Sequence, residues 1–297
     1  MCDDLTEADN AAVHARGLDR RRFAMLGAGA VTLATVPGCL AAIADQRPAV
    51  PVKARAVAIA TPDGRADGWF VAPATGKHPG VIVWPDIAGL RDAYKTMAAR
   101  LAGAGYAVLV VNHYYRGASA PVLDSLVAWR TPEGQAKLKP LIAGITPAGT
   151  ARDAAAFVAW LDQQGEVDSA RRIGTSGYCM GGPYTVRTAA AVPGRVGAAA
   201  SFHGANLVDD VAGADSPHRL LAQTRAAYLF AIAQNDDARA PTDKTTLQQA
   251  AKAAGRPAEI TVYPAQHGWC TLDAPIYDEV QAEAAWARLL ALFKANL

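Results

Sequence analysis

Short apolar runs alternate with helical segments along most of the chain, and this alternation limits the possible folds most strongly. Runs such as GVIVWPDI, YAVLVVN and AAYLFAIAQ are short and mostly apolar, which is typical of strands buried on both faces. Segments with a helical pattern, such as LRDAYKTMAARLAGAG and AGTARDAAAFVAWLDQQ, separate them. Elements in this order form a mostly parallel sheet with helices on both faces. We therefore predict an α/β fold.

Two segments depart from this pattern. Alternating polar and apolar residues over 54–73 predict a hairpin with a turn at Pro62-Asp63-Gly64, which gives the sheet an antiparallel N-terminal edge. Residues 112–145 are interrupted by glycine and proline, so we predict an excursion over the carboxyl edge of the sheet. A chain of 297 residues suits one large α/β domain, which we assign to residues 45–297.

The stretch Gly177-Tyr178-Cys179-Met180-Gly181 stands between a predicted strand and a predicted helix. Its G-x-C-x-G spacing is that of a nucleophile elbow, a strained turn that projects the central side chain into a pocket. Glycines flank the turn because a side chain there would collide with the neighbouring strand or helix. A helix N-terminus also favours the thiolate form. We predict that Cys179 is a nucleophile, and a buried structural cysteine is the alternative.

An acid and a base follow in the chain order that this architecture requires. Asp236 and Asp237 come after the strand that ends at Ala233, and His267 comes after the last strand. Cys179 would attack an acyl carbon, His267 would move the proton, and the acid would orient the imidazole. We favour Asp236 over Asp237 as the acid, because it stands where the loop after the strand first turns back.

Other residues are predicted to border the same pocket. The oxyanion should bind the backbone amides of Met180 and of Ile87, which lies in the loop after GVIVW. His113 and His203 also follow strands, and we expect them to pack or to touch substrate. Neither has a carboxylate or histidine partner at metal-ligand spacing, so we predict no metal and no cofactor.

The GYCMGG sequence, followed by the acid and the histidine in this order, resembles the dienelactone hydrolase family over about residue 52 to the C-terminus. The resemblance implies an α/β-hydrolase fold, a triad of Cys179, Asp236 and His267, and ester or lactone hydrolysis through a thioester. An acidic residue after the third strand helps to ionise the thiol in that family. Asp86 holds this position in PDIAG, with a carboxylate one methylene shorter than the family's glutamate.

The resemblance is incomplete at the residue that binds the substrate carboxylate. The family has an arginine four residues after the histidine, and Thr271 stands there in this chain. Arg116 and Arg130 in the excursion are the alternative anion contacts. The chemistry is therefore better indicated than the substrate. A catalytically silent binding protein, and an acyltransferase or thioesterase with the same triad, remain alternative functions.

The N-terminal segment has the pattern of an export signal. Paired arginines in Asp19-Arg20-Arg21-Arg22-Phe23 precede the uncharged stretch 24–44, as in a twin-arginine signal peptide. We predict that residues 1–44 are recognised by the twin-arginine machinery and removed after Ala44, giving an exported, periplasmic protein. An uncleaved membrane anchor and a lipoprotein at Cys39 are the alternatives, although Pro37-Gly38 disfavours both a spanning helix and a lipobox.

Charge and cysteine content exclude other classes of function. The net charge is only +2, and no stripe of lysine and arginine alternates with aromatic residues. We therefore predict a small-molecule substrate and no nucleic-acid partner. Only Cys179 and Cys270 follow the signal segment, and two cysteines are too few for a disulfide framework.

Overall fold

The computed structural model describes residues 8–10, 13 and 50–297, and the strands in this range form one eight-stranded sheet. The strands are β1 Val52–Thr61, β2 Gly64–Pro73, β3 Gly80–Trp84, β4 Ala107–Val111, β5 Ile173–Tyr178, β6 Val196–Phe202, β7 Ala227–Ala233 and β8 Ala258–Tyr263. Their spatial order is β1-β2-β4-β3-β5-β6-β7-β8. Strands β3 to β8 pair in parallel, whereas β1 and β2 are antiparallel to their neighbours.

Helices connect the parallel strands. The helices of the described range are α1 Asp92–Gly103, α2 Pro132–Ala143, α3 Pro147–Leu161, α4 Gly182–Ala191, α5 Pro217–Leu220, α6 Gln234–Arg239, α7 Asp243–Ala253 and α8 Glu279–Asn296. The hydroxyls of Thr131 and Thr146 accept hydrogen bonds from backbone amides in the first turns of α2 and α3. Each of these helices begins with proline, which lacks the amide hydrogen that a first turn leaves unpaired.

The core lies on both faces of the sheet, as the continuous apolar runs predict. Every residue of β3, β4 and β6 is buried. One face packs against α3, α4 and α7, with Phe157 and Leu247 in its core. The other packs against α1 and α8, with Leu101 and Phe293 in its core. The predicted α/β fold, with helices on both faces and an antiparallel edge hairpin, is confirmed.

The excursion over 112–145 forms a small apolar cluster of its own, beside the loop that follows β3. Trp129 and Leu138 pack there with Ile87 and Tyr114. Within the excursion, Leu126–Arg130 forms a short 3₁₀ segment, and α2 follows it. This packing holds the excursion against a loop at the carboxyl edge of the sheet.

Most of the predicted signal segment lies outside the described residues. The paired arginines, the uncharged stretch, Cys39 and the cleavage site at Ala44 all fall within 14–49. Among the helices of the described residues, none has the length and apolar character that crossing a membrane requires.

Candidate active site

The backbone turns sharply at Cys179, between β5 and α4. Cys179 is 1% exposed and has a φ of 52°, a left-handed conformation that is strained for a residue with a side chain. A Cβ on Gly177 would lie 2.1 Å from the Gly181 carbonyl oxygen, and one on Gly181 would lie 2.2 Å from that of Trp84. Only glycine fits at both positions, so the G-x-C-x-G spacing is explained by close backbone packing around the turn.

The acid that contacts His267 is Asp236. Nδ1 of His267 lies 2.7 Å from Oδ2 of Asp236. Asp237 instead accepts hydrogen bonds of 2.8 and 2.7 Å from Nζ of Lys244. Asp236 lies in the first turn of α6, where the sequence predicts a loop. The preceding Asn235 accepts a 2.8 Å hydrogen bond from the His267 amide, a contact that the sequence pattern does not indicate.

Three donor atoms from three strand ends meet beside this pair. The Cys179 Sγ and one ring nitrogen each of His203 and His267 all lie within 4.8 Å of one another, and all three residues are buried. We call these residues the thiol cluster. Burial lowers the pKa of His267, but the charges of Asp236 and Cys179 outweigh it and raise this pKa to about 10. These two charges therefore favour the protonated imidazole.

The two predicted oxyanion residues are joined by a tyrosine. The hydroxyl of Tyr114 donates a 2.8 Å hydrogen bond to the Ile87 carbonyl and lies 3.8 Å from the Met180 Sδ. The close approach of Gly181 to Trp84 also brings the backbone after Cys179 against the loop that contains Ile87. Tyr114 therefore fixes the relative positions of the segments that carry the two predicted amide donors.

Asp86 lines the pocket but is held by an arginine. Its carboxylate accepts hydrogen bonds of 2.7 and 2.9 Å from Arg91, which also donates bonds of 2.7 Å to each carboxylate oxygen of Asp273. Arg91 is 1% exposed. We call Asp86, Arg91 and Asp273 the ion-pair cluster. Burial disfavours the charged form of Arg91, but the charge of Asp86 and the hydrogen bonds to Asp273 and Asp86 together outweigh this effect and raise the pKa of Arg91.

The two candidate anion contacts lie in different surroundings. Arg130 lines the pocket that contains Cys179. Arg116 lies elsewhere, in hydrogen bonds of 2.8 Å to Asp153 and 2.6 Å to Asp63 in the β1–β2 turn. Thr271, at the position of the family's arginine, is fully buried. Of the residues that the sequence proposes as anion contacts, Arg130 is the one placed at the pocket.

Residues that are far apart in the described chain line this pocket. They include the thiol cluster, Asp86, Leu126 and Arg130 of the excursion, residues 274–276 after β8, and Asn10. Nδ2 of Asn10 donates a 2.9 Å hydrogen bond to the His267 carbonyl, and the carboxylate of Asp9 lies 2.6 Å from Arg239. Within the predicted signal segment, Asn10 thus lies at the pocket and Asp9 contacts α6.

The structure corrects the inference from sequence spacing that His203 has no possible metal-binding partner. The fold brings His203 next to His267 and Cys179, which are distant in sequence. His113 instead packs against the rings of Tyr114 and Tyr184. Within the described residues, the thiol cluster is the group of cysteine, histidine and acidic side chains whose donor atoms lie close enough to hold a metal ion. No disulfide joins Cys179 to the other described cysteine.

Comparisons with known proteins agree with this architecture. A Salmonella typhi protein that carries the name carboxymethylenebutenolidase is 29% identical over 227 residues, 73% of this chain and 77% of the relative. A Bradyrhizobium protein named as a 2-oxo-3-(5-oxofuran-2-ylidene)propanoate lactonase is 27% identical, with 75% and 86% covered. The crystal structure of a Klebsiella pneumoniae protein named as a dienelactone hydrolase has a TM-score of 0.71 at 24% identity, covering 82% of this chain and 99% of that one.

The family-level comparison extends over most of the sequence. The pattern of the dienelactone hydrolase family matches residues 66–297, which include every strand from β3 to β8 and the whole thiol cluster. The relatives support a hydrolase, and the solved structure supports the fold. With its elbow, strand order and sequence pattern in agreement, the chain belongs to the dienelactone hydrolase family and has an α/β-hydrolase fold.

Proposed function

We propose that the protein hydrolyses carboxylic esters or lactones, with Cys179 as the nucleophile, His267 as the base and Asp236 as the acid. The proposal rests on one observation, the arrangement of Cys179, His267 and Asp236 relative to one another. Cys179 occupies a strained elbow, one of its neighbours is His267, and Asp236 binds the opposite side of that imidazole at 2.7 Å. This is the arrangement that nucleophilic acyl transfer requires.

The first half of the reaction would form a thioester. The protonated His267 favours the thiolate of Cys179, which attacks the acyl carbon. The carbonyl oxygen becomes an oxyanion, stabilised by the amides of Met180 and Ile87. The tetrahedral intermediate then collapses. The carbon–oxygen bond to the leaving group breaks, and His267 gives its proton to the departing alkoxide. Asp236 keeps the imidazole oriented and stabilises its charged form.

The second half would release the acid. Neutral His267 takes a proton from water, and the resulting hydroxide attacks the thioester carbon. Collapse of this intermediate breaks the carbon–sulfur bond and restores the thiolate and imidazolium. From an open-chain ester the products are an alcohol and an acid. From a lactone the alcohol and the acid belong to one molecule, because the leaving oxygen stays tethered.

Asp86 enters the proposal as an activator of the thiol. Its carboxylate lies in the pocket, but both oxygens accept hydrogen bonds from Arg91. A contact with Cys179 therefore requires a change in the ion-pair cluster when substrate binds. Asp86→Asn should slow thioester formation and leave thioester hydrolysis unchanged, because only the first step needs the thiol ionised. Equal slowing of both steps would contradict this role.

The substrate class follows from the pocket and the relatives together. One relative is named as a lactonase. In this chain Arg130 offers a positive charge at the pocket, whereas Thr271 cannot supply one. We propose that the preferred substrates are esters or lactones with an anionic group near the acyl carbon. A neutral ester and its carboxylate-bearing analogue should therefore differ in KM, and Arg130→Gln should abolish that difference.

The experiment that tests the proposal measures hydrolysis of p-nitrophenyl acetate and of a simple lactone by the purified protein. Cys179→Ala should abolish both activities, whereas Cys270→Ser, which alters the other described cysteine, should retain them. Asp236→Asn should lower kcat by about 10²- to 10⁴-fold. Asp237→Asn should have little effect, because Asp237 binds Lys244. Equal rates for Cys179→Ala and the unaltered protein would overturn the proposal.

We also propose that residues 1–44 direct export through the twin-arginine route. The support is the sequence pattern alone. Fractionation of expressing cells, with mass measurement of the protein in each fraction, tests it. A periplasmic form that begins at Asp45 is expected. An unprocessed protein confined to the cytoplasm would contradict the proposal.

A further inference from the structure

One buried side chain of the thiol cluster has no role in the proposed reaction. His203 is 1% exposed, yet neither ring nitrogen is hydrogen-bonded to another described residue. Buried polar groups are nearly always hydrogen-bonded, so two unsatisfied nitrogens in one ring need an explanation. A neutral imidazole keeps a lone pair on one ring nitrogen, which can bind a ligand.

The His203 ring is held in a defined position. Its backbone has a φ of 39°, and its amide donates a 2.8 Å hydrogen bond to the Ala231 carbonyl on β7. The ring lies edge-on to those of His267 and Trp269, with centroid separations of 4.7 and 5.3 Å. A ring in contact with two others has little room to turn away. A lone pair on this ring is therefore held close to the Cys179 Sγ and to a ring nitrogen of His267.

The chemistry of the cluster suits a thiophilic cation. A thiolate and two imidazoles are the donors that Zn²⁺ prefers, and three protein ligands leave a fourth position for water. His267 is already oriented, since its Nδ1 binds Asp236 at 2.7 Å. Zinc-binding histidines commonly have a carboxylate in this position.

The distances leave a small adjustment to make. The three donor atoms lie within 4.8 Å of one another. In a tetrahedral zinc site, bonds of about 2.0–2.3 Å place the donors about 3.3–3.8 Å apart. Side-chain rotations that shorten a 4.8 Å separation by about 1.0–1.5 Å would close the cluster around an ion. All three residues also line one pocket, which gives an ion access.

The geometry points to an inhibitory Zn²⁺ site formed by Cys179, His203 and His267. The ion would bind the thiolate and the two neutral imidazoles, and the proton that His267 otherwise holds would leave to solvent. Cys179 could then no longer attack, and His267 could no longer move a proton. The inhibition rests on the proposed function, whereas binding of the ion does not. Reversible zinc binding would give the cell a means of switching this hydrolase off.

The test uses Co²⁺, whose bond to thiolate gives a charge-transfer absorption band that needs no enzymatic activity. The full chain is treated with a chelator and then titrated with Co²⁺. Every protein in the series also carries Cys2→Ser and Cys39→Ser, so that the band reports on Cys179 and Cys270. The band should appear in this protein and in Cys270→Ser, and it should be absent in Cys179→Ser. Absence of the band from the parent protein would overturn the proposal.

The role of His203 is isolated by a matched pair of buried histidines. His203→Phe should weaken Co²⁺ binding at least about 10- to 100-fold, since even the outer partners of metal ligands have effects of this size. His113→Phe should bind Co²⁺ as the parent does, because His113 packs against tyrosines outside the cluster. Equal affinities for the two variants would contradict the assigned site.

Ester hydrolysis provides the second readout. Zn²⁺ should inhibit the parent, a chelator should restore the rate, and His203→Phe should need correspondingly more Zn²⁺ for the same inhibition. Hydrolysis that Zn²⁺ does not inhibit, or that it accelerates, would overturn the inference and leave the proposed function intact. A Co²⁺–thiolate band in a protein without hydrolysis would support the metal site and contradict the proposed function.

Discussion

Two buried polar clusters flank the same pocket, and they differ in how completely their polar atoms are paired. In the ion-pair cluster, Arg91 makes two hydrogen bonds to Asp86 and two to Asp273. In the thiol cluster, both ring nitrogens of His203 lack a hydrogen bond to any described residue, although the residue is buried. One cluster has satisfied its charges, and the other presents polar atoms to the pocket.

This difference in hydrogen bonding indicates that the two clusters have different roles. Buried charges are tolerated when they are paired, and breaking such a pair is costly. The ion-pair cluster joins the loop after β3 to residue 273 and, through the 3.1 Å bond from the Leu126 amide to Asp273, to the excursion. We infer that it fixes the shape of the pocket. The thiol cluster, whose groups are not all satisfied, is where the chemistry is proposed.

The largest expected effect comes from His267→Gln. Loss of the base should lower kcat/KM at least about 10³-fold, because binding and the oxyanion amides alone remain. The free energy of unfolding should fall by only about 1 kcal/mol, the value of a typical lost hydrogen bond. Ester hydrolysis and urea unfolding measure the two quantities. If the free energy of unfolding instead fell by about 3–5 kcal/mol, as expected for a broken buried ion pair, the two clusters would not differ in the way described.

Arg91→Met should show the opposite balance. Removing one partner of a buried ion pair costs about 3–5 kcal/mol, because the carboxylate left behind is buried without a counter-charge. Arg100 provides the control, since its pair with Glu283 is about half exposed and should contribute at most about 1 kcal/mol. Urea unfolding of Arg91→Met and Arg100→Met compares them directly. Equal losses would show that burial of the Asp86–Arg91 pair has no special value.

Acid should weaken the ion-pair cluster. Burial raises the pKa of Asp273, but hydrogen bonds from Arg91 and its charge outweigh this effect and hold the pKa below its usual 3.8. The stabilisation is therefore present above the unfolded-state pKa of about 3.9 and is lost as pH falls through the lower folded value. The difference in unfolding free energy between the parent and Asp273→Asn should shrink from pH 6 to about pH 3. A constant difference would contradict the assigned pair.

The smallest effect is expected at Asn10. In the full-length chain, which still carries residues 1–44, Asn10→Ala removes the 2.9 Å hydrogen bond to the His267 carbonyl and a side chain from the pocket lining. A hydrogen bond contributes about 0.5–1.5 kcal/mol, so kcat/KM for a bulky ester should rise by at most about tenfold. Asn296→Ala, which removes a comparable 2.8 Å bond to Leu292 far from the pocket, should leave it unchanged. A lower value for Asn10→Ala would show that this residue supports the pocket.

The fold could be predicted because its elements are encoded locally. Apolar runs of five to seven residues become strands buried on both faces, and the alternation of polar and apolar residues before them becomes the edge hairpin. Parallel strands then place everything that follows them at one edge. This is why Cys179, Asp236 and His267 could be proposed together from positions far apart in the chain.

The partners of the site residues could not be predicted, because loop packing selects them. Two aspartates follow β7 in sequence, and only the conformation of α6 decides which one reaches His267. Asp86 carries a carboxylate at the family's position, yet its partner Arg91 is fixed by Asp273, which is distant in the chain. The contact of Asn10 with His267 spans 257 residues and leaves no local signal. Contacts of this kind arise from tertiary packing, which sequence periodicity does not encode.

The most direct test of the proposed chemistry is mass spectrometry of the acyl-enzyme. The protein is mixed with an activated ester, quenched in acid within one turnover and digested with a protease. An acyl adduct is expected on the peptide that contains Cys179, with more of it in His267→Gln after slow loading and none on the corresponding peptide of Cys179→Ala, which has no nucleophile there. Hydrolysis without an adduct, or an adduct confined to Cys270, would contradict a thioester on Cys179.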